Sequence, residues 1–208
     1  MLSDHEELNS QGENSSAQEV YVLYRHTFDL GHFTGRDFSY GPIRGAGFTV
    51  GFDADSKSGD AYQSEKRMLV AGPTVKLDVP GFLNASLLEL WESNAPAAHP
   101  TRYYYRPHPM LSLAWGIPFG SLPLSFDGYA NFIAAKGTDE FGTRTRAETN
   151  IDMQVMWDVG SAFGLPKKTF KIGAEYQYWR NKFGNDSNKD SSGGSTARTP
   201  MIRAEYHF

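Results

Sequence analysis

Beyond residue 18 the chain alternates apolar and polar residues with period two, the repeat of a β-strand with one greasy and one wet face. Two stretches read most clearly. In 170–177, Phe170, Ile172, Ala174 and Tyr176 share one face, and Lys171, Gly173, Glu175 and Gln177 share the other. In 150–157, Ile151, Met153, Val155 and Trp157 oppose Asn150, Asp152, Gln154 and Met156. Nine such segments are predicted, at 19–30, 45–54, 67–78, 83–92, 108–117, 122–134, 149–158, 168–179 and 200–208. Most are about 10 residues long, the length at which a tilted strand crosses an apolar band of ~25 Å.

The connections sort by length. Those at 79–82 and 119–121 are short, and 159–167 is intermediate. Those at 56–66, 93–107, 136–148 and 180–199 are long and polar. From the second segment onward, long and short alternate, as in an up-and-down barrel with short periplasmic turns and long extracellular loops. The connection 31–44 belongs to the short series but is too long for it. The predicted fold class is all-β, an up-and-down antiparallel transmembrane β-barrel spanning 19–208. Residues 1–18 are expected to be a polar extracellular loop remnant or a disordered tail.

Composition narrows the choice. The mean hydropathy of −0.49 and the lack of any long apolar run exclude a helical membrane protein, though not a barrel, where only alternate residues face lipid. The absence of cysteine excludes disulfides and thiolate metal sites. A net charge of −4 offers no basic surface for nucleic acid. Met1 to Ala17 has neither the basic start nor the apolar core of a secretory signal.

The chain ends Met201-Ile202-Arg203-Ala204-Glu205-Tyr206-His207-Phe208. Ile202, Ala204, Tyr206 and Phe208 share one face; Arg203, Glu205 and His207 share the other. A last strand of this kind, with a terminal aromatic residue, resembles the C-terminal strand of outer-membrane barrels. Tyr206 and Phe208 would then lie in a periplasmic aromatic girdle.

Three further stretches carry a closer resemblance. They are Phe33-Thr34-Gly35-Arg36-Asp37-Phe38-Ser39-Tyr40-Gly41-Pro42, then Gly72-Pro73-Thr74-Val75-Lys76-Leu77-Asp78-Val79-Pro80-Gly81-Phe82, and Ile172-Gly173-Ala174-Glu175-Tyr176-Gln177-Tyr178-Trp179-Arg180-Asn181-Lys182-Phe183-Gly184. With the last strand they resemble, in the same order, the Tsx-like family of nucleoside-specific channel-forming outer-membrane proteins. The resemblance implies a barrel of twelve strands, of which this chain offers nine. Its first strand, Val20–Leu30, looks like the family's fourth. The expectation is that the reading frame begins inside the second extracellular loop, with Met1–Ser16 as its remnant. Three more strands and a signal peptide would then lie upstream.

The implied function is passive uptake of nucleosides or similar small polar solutes across a bacterial outer membrane, without enzymatic activity and without a cofactor. The implied partners are outer-membrane lipid, the solutes, and the barrel-assembly machinery, which would engage the C-terminal strand ending in Phe208.

If Phe208 faces lipid, the interior register follows. The groups expected to line the pore are Arg25, Thr27 and Asp29; Thr74, Lys76 and Asp78; Ser125, Asp127, Tyr129 and Asn131; Asp152 and Gln154; Lys171, Glu175 and Gln177; and Arg203, Glu205 and His207. Strict alternation from Asn84 and Ser86 would put Glu89 in lipid, at a cost of a few kcal/mol. A bulge near Leu87–Leu88 is therefore expected to turn Glu89 inward. Such a lining could stack a base on aromatic faces and hydrogen-bond a sugar. Singly, each of these charges is more simply read as part of an ion-pair network that stiffens the wall.

Other chemistry is weakly supported. The six histidines lack zinc-like spacing. Gly45–Gly51 departs from a dinucleotide loop by one residue, and no helix follows. No Gly-x-Ser-x-Gly elbow occurs. Arg144, Arg146, Lys167 and Lys168 read as loop or interfacial charges. Two alternatives to the channel are a barrel-type outer-membrane lipid hydrolase and a soluble ligand-binding β-barrel. The first has His26 pointing outward but no serine partner. The second needs an apolar interior and a charged exterior.

Overall fold

The computed structural model describes residues 2–4, 18–58, 63–97 and 101–207, with backbone alone for 2–4, 18, 19 and Ser161. In chain order the strands are β1 (Leu2–Asp4), β2 (Gln18–Asp29), β3 (Ile43–Ser58), β4 (Ser64–Leu77), β5 (Phe82–Asn94), β6 (Tyr103–Tyr104), β7 (His108–Pro118), β8 (Leu124–Ile133), β9 (Glu148–Asp158), β10 (Phe170–Arg180) and β11 (Thr196–Tyr206). All nine predicted segments are strands. Each long strand pairs antiparallel with the next long strand in sequence, giving an up-and-down sheet. The short β1 pairs with Val20–Val22, and β6 extends the edge of β5 at Ser93–Asn94. Four residues of the expected tail, 2–4 and 18, are thus strand; Met1, residues 5–17 and Phe208 lie outside the described residues.

The sheet is not closed. Among the described residues β11 has no partner beyond β10, and β2 is covered on its outer side only by β1. It does curl. Lys66 on β4 places its ammonium 5.2 Å from the ring centre of Phe183, which follows β10. The sheet therefore has a concave and a convex face.

The overlong connection contains a helix, α1 (Leu30–Thr34). Asp29 caps its start by accepting from the His32 N–H at 3.0 Å. Gly35 ends it in the left-handed conformation, with φ of 65°. One extra turn of helix accounts for the length that the strand pattern left unexplained.

The two faces divide as the alternation predicts. Ile202 is 88% exposed, Leu69 60%, Leu87 58% and Tyr206 51%, all on the convex face. The concave face buries an apolar cluster of Met68, Val70, Leu88, Leu90 and Met110, with Ile133 against it. Burying each such side chain contributes roughly 1.5–3 kcal/mol.

This cluster corrects the reading of β5. The register of β5 runs without a shift against both neighbours, so no bulge forms at Leu87–Leu88. Pro73, opposite Leu87, has no N–H and interrupts the ladder without changing the register. Leu88 and Leu90 point inward because the apolar cluster takes them there. Glu89 is consequently on the convex face, between Ala71 and Pro109, and is not an inner-wall residue.

Candidate functional site

The concave wall is built by alternate residues of the nine long strands. On β2 to β5 its middle row is a chain of hydroxyls. Thr27 and Thr49 are 2.7 Å apart, Thr49 and Thr74 2.6 Å, and Thr74 and Ser86 2.7 Å. Strand register carries the row on through Ser112, Asn131 and Asn150. A hydroxyl both donates and accepts, so each strand hands a hydrogen bond to the next.

Most of the predicted residues come together on this wall. Arg25 forms an ion pair with Asp53, which also accepts from the Tyr21 hydroxyl at 3.1 Å. Lys76 donates to Asp29 at 2.5 Å. On the opposite wall Asp127 accepts from Ser125 at 2.5 Å and lies 3.8 Å from Lys171. Arg203 bridges Glu175 at 3.1 Å and Glu205 at 2.7 Å. Gln154 donates to Glu205 at 3.4 Å. Tyr129 and Gln177 flank Asp152 in register on β8 and β10.

Two predicted residues lie beyond the wall. Asp78 follows the last residue of β4 and His207 follows that of β11, and both are exposed. They belong to the rim at the turn end, because the chain leaves the sheet there. His207 still reaches Glu205 at 3.3 Å.

The wall of β8 to β11 has hydrogen-bonding capacity to spare. The amide oxygens of Asn131, Asn150 and Gln154 are shielded from bulk water and lack a protein partner, as does that of Asn84 across the interior. Buried amide oxygens without a partner are costly unless a water or a solute supplies the donor. The charges here are also unbalanced. Four carboxylates, Asp127, Asp152, Glu175 and Glu205, face two cations, Lys171 and Arg203.

Sequence reasoning missed a second constellation, at the long-loop end. Glu92 is buried and accepts from Lys136 at 2.6 Å, with Lys66 at 3.3 Å and His108 at 3.8 Å. Lys136 also sits 4.1 Å from the ring centre of Tyr105, and burial pulls its ammonium below the usual lysine range against the opposing pull of Glu92. Glu148, buried beside them, accepts from the Trp179 indole at 2.5 Å. His108 Nδ1 is 2.8 Å from the Arg106 carbonyl, so a neutral ring donates there. The cluster closes the loop end over the apolar residues below it. A signal for it existed: Glu92 has the same parity as Ser86. Lys136, by contrast, comes from a loop whose path no strand periodicity predicts. Asp53 was missed for a different reason, since Gly45, Gly47 and Gly51 dilute the alternation of β3.

No group of His, Asp and Glu among the described residues is arranged to hold a metal ion. No helix among the described residues is long and apolar enough to cross a membrane, which says nothing of strands. The chain matches no protein-family model and no curated protein.

Proposed function

We propose that this chain is the wall of an outer-membrane β-barrel channel, resembling the Tsx-like family, through which nucleosides or similar small polar solutes diffuse. The observation that carries the reading is the inverted distribution of polarity. Phe48, Phe52, Leu69, Leu87, Leu111, Val155 and Ile202 stand exposed on the convex face, while the ion pairs and amides line the concave one. An exterior of this kind in water would be a large apolar patch, with the aggregation that follows. In lipid it is the expected band. From Leu83 to Trp91 is eight residue-to-residue steps of roughly 3.3 Å each, so the band measures about 26 Å along the strand.

The free edges of β2 and β11 fit the same proposal. Unpaired backbone groups in hydrocarbon cost several kcal/mol each, so the working channel closes these edges with further strands. A wall of amides, hydroxyls and both signs of charge suits a neutral solute rich in hydroxyl and amino donors. Uptake is the test. The full-length gene product in liposomes is expected to admit a radiolabelled nucleoside faster than a disaccharide of similar size. Equal rates for the two, with an open pore shown by ion conductance, would refute nucleoside selectivity. A protein that stays in the aqueous phase without detergent would refute the membrane reading.

A further inference from the structure

At the turn end, where α1 and the connection after it fold against the inner wall, lies a cavity of about 330 Å³. Its charged lining is Asp29, Asp37, Arg36, Arg44 and Lys76, with the Phe38 ring beside them and Gly31, Gly45 and Ala46 leaving space where larger side chains would fill it. The two carboxylates are already satisfied. Asp29 takes Lys76 on one oxygen at 2.5 Å and the His32 N–H on the other at 3.0 Å. Asp37 takes the Ser39 N–H and the Ser39 hydroxyl, each at 2.8 Å.

The cations keep donor capacity toward the solvent-filled cavity, since Arg36 and Arg44 are exposed. Lys76 spends one of its three donors on Asp29. Arg44 spends one guanidinium nitrogen on the Gly81 carbonyl at 3.1 Å. The exposed Arg36 guanidinium makes no hydrogen bond or ion pair with the described residues. The unspent hydrogen-bonding capacity of the cavity is therefore donor capacity, and three cations outnumber two carboxylates.

We propose that this cavity is a binding site for an oxyanion group, a phosphate or a carboxylate, held by Arg36, Arg44 and Lys76 with an apolar portion of the ligand against Phe38. Forked guanidinium donors match the paired oxygens of such a group. The acidic wall of β8 to β11 repels an anion, so the ligand binds at this rim and is not the solute that traverses the interior. Two sources carry the same chemistry: a free phosphorylated or carboxylated solute, and the headgroup of an anionic phospholipid.

Titration of the folded protein in non-ionic detergent separates them. Inorganic phosphate followed by 31P NMR, and phosphatidylglycerol added to the micelles, are the two probes. Saturable binding of phosphate identifies a free solute; retention of phosphatidylglycerol without phosphate binding identifies the lipid. In either case Arg36→Gln with Arg44→Gln is expected to weaken binding at least about tenfold, with strand content unchanged. Asp37→Asn is expected to tighten it a few-fold, since a like charge leaves the site. That variant also decides the matter if the double variant fails to fold. Binding of neither probe, or affinities that these substitutions do not move in the stated directions, would overturn the proposal. The site is independent of conduction, so its failure leaves the channel reading untouched.

Discussion

The concave face of β4, β5 and β7 is dry toward the loop end, whereas that of β8 to β11 is mostly polar along its length. On the first, Met68, Val70, Leu88, Leu90 and Met110 exclude water, and above them Glu92 is shared by Lys66, Lys136 and His108, with Glu148 beside them. On the second, ion pairs alternate with amide oxygens that no protein group satisfies. The first arrangement packs like a protein core and holds the curl of the sheet. The second has the unfilled hydrogen-bonding capacity that a permeating solute requires. Under the proposed channel function, stability and passage fall to different parts of one wall.

The difference can be broken at its most loaded residue. Glu92→Ala takes from the half-buried Lys66 and the buried Lys136 the carboxylate they both contact, and is expected to cost about 3–5 kcal/mol in denaturant unfolding from lipid. A loss under about 1 kcal/mol would mean that water reaches these ammonium groups and that the region is not dry. Below it, Leu90→Ala removes the most buried side chain of the cluster, with an expected cost of ~2–5 kcal/mol on the same assay. Neither substitution should have a counterpart on the polar wall. Gln154→Ala is expected to change solute flux with little change in unfolding, because its oxygen has no protein partner to lose and its amide N–H makes only a long, 3.4 Å hydrogen bond to Glu205.

How the sequence reads on the two parts differs for the same reason. Period-two alternation located nine strands and sorted polar from apolar rows, and on β9, β10 and β11 it placed every predicted inner residue but His207, because their inner rows are mostly polar. It failed on β5. There both faces are apolar at Leu87–Leu88, and the parity of Glu89 depended on which leucines a core would claim. That core is assembled by Met68 and Met110, distant in sequence, so local pattern could not reveal it. The Glu92 cluster was hidden likewise, since its Lys136 arrives from a loop. The helix α1 was not predicted, because five residues carry little periodicity even though Asp29 and Gly35 cap its two ends.

Glu89 offers a smaller, sharper test. It is a carboxylate in a convex row with Ala85, Leu87 and Trp91. Glu89→Leu is expected to stabilise the lipid-embedded protein by up to about 2 kcal/mol, whereas an inward-facing Glu89 would show a loss.

The smallest effect lies in the loop after β10. Asp190 accepts from the Ser192 hydroxyl at 2.5 Å and from the Ser195 N–H at 2.6 Å, which holds its carboxyl well below the usual range. A depressed carboxylate stabilises above its unfolded pKa, about 3.9, and the contribution is lost only as pH falls below that toward the folded value. Amide exchange at Ser195, once corrected for the intrinsic rate, is therefore expected to stay flat from pH 7 to pH 5. Asp190→Asn is expected to speed it throughout that range without altering global unfolding.

The polarity of the two faces can be measured directly, because the chain contains no cysteine of its own. Ile202→Cys and Glu205→Cys, each spin-labelled in liposomes, report collisions with lipid-soluble oxygen and with a water-soluble nickel chelate. The label at 202 is expected to favour oxygen and the label at 205 the chelate. The opposite preference at the two positions would contradict the membrane orientation proposed for the sheet.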